Sequence, residues 1–183
     1  MAVGRMTFPL AGVDLSAKVA GTGASSDQGN EFTLGMRVFT DDGQEYVYCH
    51  ASAAITQYYW VGIDENWEVA PLTDAMAQDG WMIGVAQVAA SDNDFVWIAV
   101  RGANLKGSGV YEANGVDVQL FTSATAGLLQ VVSDLGTGSS VTYTKINGVV
   151  NVEAPTSVTT NTAGTISAGI EVLLTFPNVD NLA

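Results

Sequence analysis

The chain has 183 residues, 48% of them apolar, enough to bury a core and unlike a disordered chain. Six basic residues face 19 acidic ones, a formal net charge of −13 that repels phosphate backbones and anionic lipid, against a nucleic-acid or membrane partner. One cysteine excludes an intramolecular disulfide, and no apolar run approaches the ~20 residues that span a bilayer.

The first segment, residues 1–33, reads as an extended arm. Its opening, MAVGRMTFPLAGVDL, carries one Arg and a short apolar patch broken by Pro9, too interrupted for a signal-peptide core. Synthesis in a reducing cytoplasm is the expectation. Met6, Phe8, Leu10, Val13 and Leu15 sit sparsely among polar residues, and AKVAGTGASSDQGNEF follows without a sustained period. The segment is either a frayed terminus or an arm that orders by laying its apolar side chains on a neighbour, and the second is the expectation, because an isolated tail gains nothing from five large apolar side chains.

Residues 34–132 read as strands. Met36, Val38 and Thr40 share one face, Arg37 and Phe39 the other. Asp41-Asp42-Gly43-Gln44 is a hairpin turn in which Gly43 takes φ > 0. Glu45, Val47 and Cys49 then share a face opposite Tyr46, Tyr48 and His50. ITQYYWVGI, 55–63, is aromatic and β-branched and ends in the acidic turn Asp64-Glu65-Asn66.

A single short helix is expected near 73–79, with Thr73 as its cap and Gly80 as its stop. WMIGVAQVAA and DFVWIAVRG form a second hairpin around residues 91–94. In its second strand Val96, Ile98 and Val100 oppose Phe95, Trp97 and Ala99. Two apolar faces require cover on both sides, from the chain itself or from another subunit. Asn114-Gly115 and Asn147-Gly148 mark further hairpin turns, and the alternating strand Ile170–Phe176 closes a sheet.

No catalytic constellation emerges. Cys49 and His50, the only residues of their types, are adjacent on a strand, so their side chains point to opposite faces and cannot pair as nucleophile and base. Zinc has no Cys/His cluster to bind, a Ser-His-Asp triad would have to use His50 and there is no G-x-S-x-G elbow, and neither GTGASS nor GTGSS continues into a phosphate loop. The acidic turns match no calcium loop. Paired carboxylates among Asp64, Glu65 and Asp92 would suit a hydrolase only if folding brought them into one cleft. No enzyme activity, cofactor or metal is therefore expected.

One layout is suggestive. Leu34-Gly35, Asp42-Gly43, Glu45-Tyr46-Val47-Tyr48 and the small residues Ala51–Ile55 are followed by MIGVAQVAASDNDFVWIAVRG and a closing VLLTFPNV. Over most of residues 34–180 this resembles the head decoration, or capsid cement, proteins of tailed bacteriophages. The resemblance implies a structural virion protein on the capsid exterior, commonly a homotrimer, that stabilises the head by bridging neighbouring major capsid subunits. A receptor-binding or tail-associated β module is the alternative.

The expected fold is all-β, a sandwich or small barrel-like domain over 34–183 with an extended N-terminal arm over 1–33 and at most one short helix. Arg5, Met6, Phe8, Leu10, Val13 and Leu15 are the expected capsid-binding residues of the arm. Tyr59, Trp60, Trp81, Val85, Trp97 and Ile98 are assigned to a trimer seam or to the core.

Overall fold

The computed structural model describes residues 13–21, 32–110, 119–131, 143–152 and 169–179. In chain order the strands are β1 (Lys18–Val19), β2 (Arg37–Phe39), β3 (Glu45–Ala51), β4 (Trp60–Ile63), β5 (Glu68–Pro71), β6 (Met82–Ala86), β7 (Phe95–Gly107), β8 (Gly109–Val110), β9 (Gln119–Thr122), β10 (Leu129–Val131), β11 (Lys145–Asn151) and β12 (Ile170–Val179). The one helix among the described residues is α1 (Asp74–Gln78). The chain is thus all-β, and five of the strands close into a barrel.

The barrel runs β3-β5-β4-β6-β7 and returns to β3. The β3–β5 pair is parallel and the other four pairs are antiparallel. β2 extends β3 as an edge. Beyond β7 the hydrogen bonding continues through β12, β11, β9, β10 and β8, so barrel and second sheet share one ladder.

Strand alternation separates two cores. Val47, Cys49, Ala51, Val61, Ile63, Val69, Ala86, Val96, Ile98 and Val100 fill one cluster, to which the five barrel strands all contribute. Tyr46, Tyr48, Trp60, Val85, Phe95, Trp97 and Ala99 face outward into a second cluster. There they meet Leu120, Leu129, Ile146, Val172 and Leu174 of the second sheet. β7 therefore needs cover on both faces, as its sequence predicts, and receives it from its own chain.

Local chemistry explains the β2–β3 turn and both ends of α1. Gly43 has φ +83° in the β2–β3 turn, where the Gln44 amide donates to Thr40 Oγ1. Thr73 caps α1 by accepting from the Met76 amide at 3.3 Å, and Gly80, at φ +79°, follows its last turn.

Three expectations change. Asn147-Gly148 is not a hairpin turn. It lies inside β11 at a register shift against β12, where Gly148 at φ +74° makes a bulge. β12 is not a closing edge, because it pairs β7 on one side and β11 on the other. ITQYYWVGI is not one strand. Tyr58 takes φ +67° and breaks it, leaving Ile55 as an isolated bridge to Ala90 and starting β4 at Trp60. Asn114-Gly115 lies outside the described residues.

Candidate functional site

The arm meets the body at the first residues of β7. β3 pairs one edge of β7 from Phe95 onward, with His50 opposite Phe95 and Cys49 opposite Val96. The opposite edge carries β6 at Ile98 and Ala99 and leaves Phe95 and Val96 open. β1 fills that gap, Lys18 opposite Val96 and Val19 opposite Phe95. Val13, Leu15 and Val19 pack, partly buried, against the outward cluster.

An aromatic group lies in that same cluster. Phe32 meets Tyr48 edge-on at 5.3 Å and Trp97 at 5.3 Å, Tyr48 meets Trp97 at 4.9 Å, and His50 lies 5.0 Å from Phe95. The described part of the arm is thus a strap across this chain's own body. Val13 and Leu15 are engaged there, while Arg5, Met6, Phe8 and Leu10 lie outside the described residues.

A charge fastens the strap. Lys18 Nζ lies 3.1 Å from Asp94 Oδ2, whose side chain is only 8% exposed. The same carboxylate oxygen accepts from the Ser91 amide at 2.8 Å, closing the turn before β7. Burial alone raises the pKa of Asp94, but the Ser91 amide and the Lys18 ammonium outweigh it and hold the carboxyl below its ordinary value. Beyond the ion pair, Gly21 sits against Asn93, where a Cβ would fall 1.9 Å from the Asn93 carbonyl oxygen. Only glycine lets the backbone approach so closely.

The assigned seam-or-core residues divide by exposure. Trp60, Val85, Trp97 and Ile98 are at most 2% exposed within one chain and belong to its core. A side chain with no surface left adds nothing to a subunit contact. Tyr59 and Trp81 remain half-buried, Tyr59 against Gly127 and Trp81 against Gly62.

Cys49 lies within the barrel cluster, its thiol pKa pushed far up by burial first and by the Asp64 carboxylate second. His50 faces the other way, onto Phe95. The opposed faces expected of this pair are the ones observed. Asp64 and Glu65 occupy the β4–β5 turn and Asp92 the turn before β7. No group of three His, Cys, Asp or Glu able to hold a metal ion occurs among the described residues. No described helix is long and apolar enough to cross a membrane.

The structure adds one surface residue that the sequence assignment passes over. Phe39, at the end of the edge strand β2, is 58% exposed beside the exposed turn residues Asp41 and Asp42. Its neighbour on the same face, Arg37, pairs with the buried Glu45 and reaches Met82 Sδ at 3.6 Å. The shared face of Arg37 and Phe39, opposite buried Val38, was the available signal. No protein-family model, curated protein or solved structure matches this chain.

Proposed function

We propose that the protein is a structural component of a phage virion. It binds the outer surface of the capsid and stabilises it by bridging neighbouring major capsid subunits, as a homotrimer. Support comes from the layout of residues 34–180, which resembles capsid cement proteins, and from the acidic composition, which suits a protein packed densely on a particle.

The observation that carries the reading is the strap. A body whose central strand is covered on both faces holds its N-terminal segment by an ion pair between the exposed Lys18 and the covered Asp94 and by a two-residue strand. Directly ahead of that anchor the sequence sets Arg5, Met6, Phe8 and Leu10. A rigid body with an anchored apolar extension has the parts of a staple. Repetition at symmetry-related positions turns modest contacts into a stiff lattice.

The test removes residues 1–12 and leaves the strap in place, because a longer deletion would strip Asp94 of its cation. Loss of binding to expanded, undecorated heads with an unchanged melting curve is the expected result. Unimpaired binding by the truncated protein overturns the arm's role.

Phe39 favours the second reading, a tail-associated or receptor-binding β module. An exposed aromatic ring beside Asp41 and Asp42 is the kind of tip such a module presents to a cell surface. Under that reading Phe39→Ala abolishes binding to host cells or their glycans. Under the capsid reading the truncation does the damage instead.

A further inference from the structure

We propose that the free edge of β2 is a docking site for an extended polypeptide segment of another protein, apolar and basic, that adds to the sheet as one more strand. The proposal rests on neither reading above, and its test uses no heads and no cells.

The edge follows from the alternation of hydrogen bonds in an antiparallel pair. The Tyr48 amide donates to the Met36 carbonyl at 2.9 Å, and the Thr40 amide donates to the Gln44 carbonyl at 3.0 Å. These two bonds bracket the β2–β3 ladder and turn the backbone groups of Val38 toward β3. Arg37 and Phe39 therefore turn amide and carbonyl away from it. β2 ends the strand order, and no described strand pairs that side. Outward amides and carbonyls are a template for a further strand, and extended backbone is what matches them.

Side chains select the strand. Phe39 and Val152 are the exposed large apolar side chains among the described residues, and Phe39 is the more open at 58%. Strand edges are commonly guarded by charges or proline. Here the one charge on the strand, Arg37, is committed to Glu45, and a phenyl ring projects beside the free backbone groups. An apolar side chain opposite Phe39 covers that ring.

Charge selects the rest of the partner. Asp41 and Asp42 follow β2 directly, are exposed, and pair with no cation among the described residues. Arg101 lies two strands in, on β7. A strand antiparallel to β2 brings its first residues beside Asp41 and Asp42, where lysine or arginine meets both carboxylates. A second copy of this chain is the poorer occupant, because each copy brings a net charge of −13.

The probe is an acetylated and amidated pentapeptide, Lys-Lys-Val-Thr-Val, with Glu-Glu-Val-Thr-Val as its control. In antiparallel register its valines stand opposite Phe39 and Arg37, and its lysines lie beside Asp41 and Asp42. The 15N-labelled full chain is titrated with each peptide to millimolar concentration, and hydrogen exchange is followed amide by amide. With the lysine peptide the Arg37 and Phe39 amides are expected to exchange more slowly, while the Val38 amide, already turned to β3, is unchanged. The glutamate peptide is expected to bind about tenfold more weakly. Phe39→Pro removes an outward N–H and no β2–β3 bond, so it is expected to abolish binding with the melting curve little changed.

Unchanged exchange at Arg37 and Phe39 overturns the proposal, and so does undiminished binding by Phe39→Pro. Equal binding of the two peptides overturns the basic partner. Protection of the same amides that rises with protein concentration, without peptide, makes a second copy the occupant and overturns it likewise. Where Phe39→Pro fails to fold, the wild-type titration decides alone.

Discussion

Asp94 joins two jobs at one carboxylate: it closes the turn before β7 through the Ser91 amide and anchors the strap through Lys18. Its folded-state pKa lies below the usual Asp value of about 3.9. A depressed carboxylate pKa adds stability that is present above the unfolded value and is lost as pH falls through the folded one. Wild-type protein is therefore expected to lose stability below about pH 4. Asp94→Asn starts less stable at neutral pH and loses less over that acid range, as melting curves from pH 7 downward will show. Lys18→Met is expected to cost about 0.2–1 kcal/mol at neutral pH, because the ammonium is 44% exposed and water screens the pair. Cys49 makes a contrasting prediction. Its raised pKa and full burial make the thiol inert, so a disulfide reagent should label it only as fast as the protein unfolds. Rapid labelling of the native protein would contradict its place in the barrel.

At the scale of elements, α1 is too short to be stable alone and is held by what it caps. Asp74 Oδ1 accepts from the Thr144 amide at 2.9 Å and from the Thr122 hydroxyl, while Oδ2 accepts from Gln78 Nε2 at 2.6 Å. The first turn of α1 is thereby stitched to β9 and to the residue before β11. Asp74→Ala takes the acceptor from the Thr122 hydroxyl, while the Thr144 amide keeps Thr122 Oγ1 at 2.9 Å and Gln78 Nε2 keeps Thr144 Oγ1 at 3.4 Å; the change is expected to cost about 1 kcal/mol, with hydrogen-exchange protection lost first around Thr122 and Thr144. A second joint lies where Trp60 Nε1 donates to the Ser108 carbonyl at 2.8 Å while its ring covers Gly107. A Cβ at 107 would come within 2.5 Å of that ring. Gly107→Ala should destabilise by about 1–3 kcal/mol, and the Trp60 emission should shift to the red as the indole is pushed out of its site.

Strand identity and face were legible at this scale because they depend on neighbours two residues away. Alternation alone puts Val47 and Cys49 opposite Tyr46 and Tyr48, and Val96 and Ile98 opposite Phe95 and Trp97, and the two clusters divide the same way. The cap at Thr73 was legible for the same local reason. Asn147-Gly148 is ambiguous in sequence because the same dipeptide serves a turn or a bulge, and only the register of β12 against β11 chooses between them. Tyr58 at φ +67° was invisible, since a tyrosine rarely adopts that conformation and nothing local asks for it. Its amide donates to the Ala86 carbonyl at 2.7 Å and its carbonyl accepts from the Ser108 amide at 2.7 Å. Those bonds, from β6 and from the residue after β7, are what hold it there.

For the whole molecule, the capsid reading predicts a solution mass of about three times the 19.1 kDa of one chain by light scattering. A strict monomer would turn attention first to the half-buried Tyr59 and Trp81, the remaining candidates for a seam. Local pattern alone determined that this chain is all-β, that its central strand needs cover on both faces, and that Cys49 and His50 diverge. Each of these follows from alternation over a few residues. Tertiary structure decided where the cover comes from, that the ladder closes into a barrel along the first half of β7 and runs on into a second sheet from its second half, and that Asp94 meets Lys18. Those outcomes depend on pairings between residues far apart in the chain, and no short-range pattern encodes which distant strand will arrive.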